Sequence, residues 1–357
     1  MFVSQLSKID RTVKRYIVLL CGWLCCVVGL HAQFDPQIGQ YMYMQSTYNP
    51  AAVGDGDLMR VYGSHRMQFT GIMDAPMTTY FSFSSPFVVG KTQHAAGVRF
   101  MNDRFGLFSN QSLHADYAYR FKLGKGYMSV GADFGFINLS FAVDSVNLKE
   151  VAELVQDHAY HNATDEAIPE TGGQNGVSGM GFDMGVGVYY ETATWWAGVS
   201  YGHLTQPTLQ WSDRAEIQVG GSLYAVGGYN WRLRNKNWVL MPSAMLQMQF
   251  VPKRMTETEG ESDAKSKKMG AAWDVNLSML AQVNNRYRFG LGYRLAGSVN
   301  VLLGMDIIDG LQVGYTYELP ANGLIRESYG SHELYLAYGF NILKPKRTNR
   351  YKSVRYL

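Results

Sequence analysis

The chain has 357 residues, 46% hydrophobic and only 17% charged, with 38 glycines and 24 tyrosines against 10 prolines. Soluble domains carry about 25% charged residues, and this profile excludes a disordered chain, a coiled coil and a disulfide-stapled mini-domain. A formal net charge of +3 is too small to argue for nucleic acid as a partner.

Lys8, Arg11, Lys14 and Arg15 precede an apolar run from Tyr16 to Leu30, and Ala32 follows. A basic region, a short apolar core and a small residue at the cut describe a secretory signal peptide over residues 1–32. The competing reading is a short membrane anchor. Cleavage would remove Cys21, Cys25 and Cys26, leaving a mature chain with no thiol. An exported protein of that kind uses neither disulfides nor a cysteine metal site. After residue 30 no apolar run approaches the ~18 residues of a membrane helix.

From residue 58 onward the dominant signal is period-2 alternation, the pattern of strands with one apolar face. Leu113, Ala115, Tyr117, Tyr119 and Phe121 share one face, and His114, Asp116, Arg120 and Lys122 the other. Fourteen such segments run over 58–69, 77–87, 93–104, 110–123, 126–139, 180–191, 194–203, 216–233, 237–251, 270–283, 286–293, 298–307, 311–319 and 330–342. The number is even, as in bacterial single-chain membrane barrels, and the lengths suit the ~9–11 residues of a tilted spanning strand.

Joins after the even-numbered segments are short, as at Gly124-Lys125, Asn284-Asn285 and the tight-turn dipeptide Asp309-Gly310. Joins after the odd ones are mostly longer, including 140–179, 204–215, 252–269 and 320–329. Short turns at one end and long loops at the other describe an outer-membrane barrel. Its predicted fold is therefore an all-β transmembrane antiparallel barrel of about 14 strands over 58–342. Charges on the lipid face would cost roughly 2–4 kcal/mol each at the midplane. Arg60, Arg66, Asp116, Arg120, Asp133, Asp183, Asp274, Arg294 and Glu318 are accordingly assigned to the lumen, with Arg99, Arg288 and Glu333. The pairs Tyr189-Tyr190 and Trp195-Trp196, with Trp231 and Trp238, sit near strand ends, where an interfacial aromatic girdle belongs.

Four parts lie outside the barrel. Residues 33–57 are polar and aromatic, and are either a periplasmic lead or a plug in the lumen. The 140–179 join carries apolar residues at 148, 151, 154 and 155, which allows a short amphipathic helix, and 256–268 is solvated. The tail 343–357 holds Lys344, Lys346, Arg347, Arg350, Lys352 and Arg355 and no acid. It is either a solubilising extension or a docking segment for an acidic partner. Residues 33–342 then hold 22 basic and 28 acidic residues: an acidic barrel with a basic tail.

No catalytic constellation stands out. His65, His94, His114, His203 and His332 are scattered, without metal-ligand spacing, and Gly181, Gly185 and Gly187 lie in an alternating strand rather than before a helix, which argues against a nucleotide loop. No catalytic, cofactor or metal residue is assigned.

The opening Gln33-Phe34-Asp35-Pro36-Gln37-Ile38-Gly39-Gln40-Tyr41-Met42, then Tyr48-Asn49-Pro50-Ala51 and the stretch 71–87, resemble the PorP/SprF family. Gly185-Val186-Gly187-Val188-Tyr189-Tyr190, Trp196-Ala197-Gly198-Val199-Ser200, His203-Leu204, Phe289-Gly290-Leu291-Gly292-Tyr293-Arg294, Val313-Gly314-Tyr315-Thr316-Tyr317 and Ser331-His332-Glu333-Leu334 extend the match over nearly the whole mature chain. The likeness is nearest to the PorP branch. It implies a non-enzymatic outer-membrane part of the type IX secretion system of the Bacteroidota, also used with gliding motility. Such a part supports export or surface attachment of proteins with C-terminal signal domains. The implied partners are outer-membrane lipids, a periplasmic ring lipoprotein with its associated subunits, and the cargo, with both termini in the periplasm. The residues leave one other function open, a small-molecule barrel of the fatty-acid-channel type. That alternative calls for a lateral opening and an apolar pocket inside the wall.

Overall fold

The computed structural model describes residues 35–340 apart from 55, 57, 142–176, 211–215, 235–236, 251–270 and 322. The signal peptide 1–32, the helix within 140–179, the 256–268 loop and the tail 343–357 lie outside the described residues. No helix among the described residues is long and apolar enough to cross a membrane.

The strands are β1 Met59–Met67, β2 Met77–Val89, β3 Thr92–Phe105, β4 Phe108–Leu123, β5 Gly126–Phe141, β6 Val177–Glu191, β7 Trp195–Gly202, β8 Thr208–Gln210, β9 Glu216–Gln218, β10 Ser222–Tyr229, β11 Trp231–Arg232, β12 Trp238–Phe250, β13 Ala271–Val283, β14 Tyr287–Arg294, β15 Ser298–Ile308, β16 Leu311–Pro320 and β17 Ser331–Phe340. Each wall strand pairs antiparallel with its neighbour in the wall. The ring closes where β1 meets β17, from Met59↔Phe340 to Met67↔His332, and where β10 meets β12. Among the described residues fourteen strands form the wall: β1 to β7, β10 and β12 to β17. Two-residue β11 continues the line of β10 against β12. Closure leaves no unpaired edge, which an apolar-faced sheet in lipid requires.

The alternation follows the pleat. Phe81, Leu113, Phe134, Phe136, Leu291, Leu334 and Leu336 are more than half exposed and point outward, while Asp116, Asp133, Asp274 and Arg294 are buried on the inward face. Pro242 lies inside β12, yet costs little. It stands opposite Tyr229, where β10 has stopped pairing with β12 (Gly228↔Ser243) and β11 has not begun (Trp231↔Leu240), so no ladder bond is demanded there.

Two details differ from the sequence reading. The segment 216–233, expected as one strand, is divided. Glu216–Gln218 leaves the wall and pairs with β8 in a separate hairpin, and the wall resumes at Ser222. The cause is packing: β5 turns Ile137 and Leu139 inward, and Leu209 and Val219 of the hairpin segment bury against them. Glycines make room, since a Cβ on Gly181 would stand 2.6 Å from Pro207 Cβ. The aromatic pairs also divide. Tyr190 and Trp195 face outward with ring centroids 5.2 Å apart, but Tyr189 and Trp196 are 2% and 4% exposed. Successive strand residues point to opposite faces, so a paired aromatic at a strand end supplies one girdle ring and one lumenal ring.

Candidate functional site: a filled lumen

The interior is occupied by the chain itself. Residues 38, 41–44, 48, 51 and 52 form one apolar cluster with the inward-facing Tyr62, Tyr189, Trp196, Tyr224, Met245, Leu280, Leu302 and Tyr335. Two 3-10 turns, Gln45–Thr47 and Pro50–Ala52, give this segment its compactness. Asn49 caps the second through Ala51 N–H→Oδ1 at 2.9 Å, and Pro50 supplies the first helical position, where a missing N–H is harmless.

The Asn49-Pro50-Ala51 corner sits on a floor of wall glycines. A Cβ on Gly131 would lie 2.5 Å from Ala51 N and Pro50 C, and one on Gly187 would lie 2.1 Å from Asn49 Oδ1. Asn49 Nδ2 donates to Val188 O at 3.2 Å, and Ser200 Oγ donates to Tyr48 O at 2.7 Å. Without glycine at these inward positions the backbone of the plug and the wall could not approach so closely.

Two ionic networks on different sectors of the wall hold the plug. In the first, Arg66 bridges Glu318 at 2.5 Å and Glu333 at 3.1 Å, and Arg294 bridges Glu318 at 2.8 Å and Asp274 at 3.2 Å. Arg294 also donates to Asn276 Oδ1 at 2.7 Å and to the Gln37 side chain of the plug. Glu333 accepts the backbone N–H groups of Gly39 (2.7 Å) and Gln40 (3.1 Å). In the second, Arg99 reaches Asp133 at 2.8 Å and Asp116 at 3.4 Å, and donates to Thr47 O at 2.8 Å. His114 Nδ1 meets Asp133 at 2.9 Å, and His203 Nδ1 meets Asp183 at 2.9 Å. His203 Nε2 then meets Asp35 Oδ1 at 2.9 Å, and Tyr224 donates to Asp35 Oδ2 at 2.6 Å. Asp35 is the one charged residue in 35–54. A third pair, Arg120 with Glu191, lies nearer the short-turn end.

The lumen-assigned charges thus fall in three places. Arg66, Asp274, Arg294 and Glu318 meet in the first network. Asp116, Asp133 and Asp183 join the second, where Asp183 serves histidines rather than an arginine. Arg120 stands apart with Glu191, and Arg60 lines a small gap beside Tyr43, Tyr62 and Gln312. Lys344, Lys346, Arg347, Arg350, Lys352 and Arg355 lie outside the described residues. His114 and His203 converge, while His65, His94 and His332 bond Thr79, Tyr117 and Tyr315 at the outer wall. The residues that strand patterning missed are Asp35, His203 and Tyr224. Inward parity marks Tyr224, but nothing local ties Asp35 to a histidine 168 residues away.

Electrostatics make this latch a charged one. Burial alone would push the His203 imidazole down, but Asp35 and Asp183 outweigh it and raise its pKa to about 10. Burial alone would lift the Asp35 carboxyl, but His203, with hydroxyls of Ser222 and Tyr224, brings it to about 2. A raised histidine stabilises fully below its unfolded value near 6.5 and loses that contribution as pH climbs to about 10. The depressed carboxyl stabilises above about 3.8 and loses it as pH falls through about 2. The latch is therefore strongest between about pH 4 and 6.5. The melting temperature of the detergent-solubilised protein should fall from pH 6.5 to pH 10, and the slope should flatten in His203→Gln. An equal slope in both proteins would remove His203 from the latch.

Between plug and wall, beside Asp35, Arg99, His114, Asp183 and His203, lies a cavity of about 70 Å³, room for a few waters. Among the described residues no group of three or more His, Cys, Asp or Glu side chains is arranged to hold a metal ion.

The model of a family described as type IX secretion system membrane protein PorP/SprF matches residues 30–338. The chain belongs to that family. The match spans the plug and nearly all of the wall, including both ionic networks. The family and the closed wall together make the chain an outer-membrane β-barrel of type IX secretion. No curated protein matches it. Among solved structures, the chain is similar to the Pseudomonas putida toluene transporter TodX (11% identity, 83% of this chain and 93% of that one, TM-score 0.42). It is likewise similar to the CymD monoaromatic hydrocarbon channel (12%, 88% and 95%, TM-score 0.44). The translocator domain of the autotransporter NalP from Neisseria meningitidis is a third (11%, 81% and 89%, TM-score 0.40).

Proposed function

We propose that this protein is a closed, non-enzymatic scaffold of the type IX secretion system, PorP-like within its family. It supports export or surface attachment of proteins with C-terminal signal domains and is not itself their conduit. The observation that carries the reading is the filled lumen. Residues 35–54 occupy the interior through an apolar cluster and two ionic networks, and the cavity beside them has only about 70 Å³. A barrel so filled presents its ends and its outer wall to partners rather than a passage.

In this reading residues 1–32 are removed on export, and the short-turn end and the chain's end at 357 lie in the periplasm. The six cations of 343–357 meet acidic faces of a ring lipoprotein and its associated subunits there. The alternative, a hydrophobic-compound channel, calls for an apolar pocket inside the wall. The buried carboxylates and guanidinium groups facing the plug speak against it.

A deletion strain tests the function: surface display of signal-domain cargo should be lost and return with the full-length gene. Normal display without the gene would overturn the assignment. Truncation after residue 342 should leave the barrel folded but abolish co-purification of ring subunits; unchanged co-purification would eliminate the tail's role.

A further inference from the structure

The plug has a direction. Its first residues bind the wall where the long joins begin. Asp35 meets His203, the residue after β7, and Tyr224, the third residue of β10. The join between those two strands is the long one. Gln37 meets Arg294, the last residue of β14, and Gly39 and Gln40 donate to Glu333, the third residue of β17. The last residues of the plug lie at the opposite end. A Cβ on Gly54 would stand 2.1 Å from that of Ala95, the fourth residue of β3. Gly54 also shares a small gap with Arg60 and Ser84, one rung from the Met59↔Phe340 pair that starts β1 at the short-turn end.

The two ends of the plug are fastened differently. At the short-turn end the chain runs on covalently into β1. At the long-loop end it leads back toward the expected cut after Ala32, and a chain terminus frays unless something ties it down. The Asp35 carboxylate, the one charge in 35–54, stands at that end and supplies the tie.

Reach then decides where a mature chain starts. Gln33 is two residues from Asp35, at most about 7 Å of extended chain. The wall is taller than that. From Arg294 back to Tyr287, along β14, is about 23 Å of strand, or about 17 Å along the barrel axis at a tilt of about 45°. Two residues cannot return to the short-turn end, and the lumen between is filled. We propose that the mature chain begins at the outer mouth of the barrel, across the membrane from its carboxyl tail. That the long-loop end is the outer one rests on the orientation proposed above; the direction of the plug does not. An order of maturation follows. Proteolytic release of residues 1–32 precedes seating of the plug, because an anchor kept in the inner membrane would have to reach Asp35 from the periplasm through an occupied lumen.

The test exploits a mature chain without cysteine. A Gly-Cys-Gly insertion between Gln33 and Phe34 is compared with Met73→Cys in the 68–76 loop, where Met73 is 88% exposed, and with Lys125→Cys in the exposed β4–β5 turn. Cells are treated with a membrane-impermeant maleimide before and after the outer membrane is permeabilised. The inserted cysteine should label on intact cells, as Met73→Cys does, while Lys125→Cys should label only after permeabilisation. Gln33→Cys, which adds no length, should label from the same side as the insertion, and both variants should keep the wild-type melting temperature. Labelling of the inserted cysteine and of Gln33→Cys only after permeabilisation, or in neither condition, would overturn the proposal. Labelling of Met73→Cys only after permeabilisation would instead overturn the orientation, and the inserted cysteine should still follow Met73→Cys.

Discussion

Gly131→Val and Gly187→Val should each open the barrel. In planar bilayers the wild type should be nearly silent, and either variant should show sustained ion conductance. The reason is backbone contact. A side chain on Gly131 meets Ala51 N and Pro50 C at 2.5 Å, and one on Gly187 meets Asn49 Oδ1 at 2.1 Å. Overpacking costs about 1–3 kcal/mol where neighbours can yield. Here the neighbours of Gly131 are main-chain atoms of a capped 3-10 turn, which has little freedom to shift. The wall is held by ladders along both edges of β5 and β6, so the plug is the element that moves. Gly63→Ala is the control. It faces outward on β1, with its nearest atom 3.8 Å away, and should leave the barrel silent. Silent Gly131→Val and Gly187→Val barrels would mean that the plug tolerates displacement without leaving, and the filled-lumen reading would lose its main support.

Arg294→Met should cost about 3–5 kcal/mol of folding stability, the penalty for leaving a buried charge unpaired. Arg294 is 1% exposed and touches Glu318, Asp274, Asn276 and Gln37. Methionine fills much of the volume but leaves Glu318 with Arg66 alone and Asp274 with no cation. Urea unfolding in lipid vesicles, followed by tryptophan fluorescence, measures the loss. The double variant Arg294→Met/Asp274→Asn should recover part of it, because the charge stranded by the first change is removed by the second. No recovery would locate the damage in packing rather than in the ionic network.

The wall was largely legible in the sequence because spanning strands obey a strict local rule. Lipid rejects charge and the pleat has period 2, so Arg66, Asp133, Asp274 and Glu318 declare their face from their own neighbours. Parity carries no information about partners, however. It put Asp183 in the lumen without pairing it to His203, and it read 216–233 as one strand because the alternation does not register that Gly220-Gly221 releases a hairpin. The paired aromatics at 189–190 and 195–196 were read by type, when their alternation already placed one of each pair inside.

The opening composition makes the same division. Low charge, abundant glycine and alternating faces determined, by local chemistry alone, that this chain is a lipid-facing closed sheet. Only the tertiary structure decided that the lumen is filled, that Asp35 reaches His203, and that glycines at 131 and 187 receive the Asn49-Pro50-Ala51 corner. Those contacts join a segment outside any strand to wall-side residues 80 or more positions further along the chain. Their energy depends on how closely two backbones approach, which no linear pattern of side chains records.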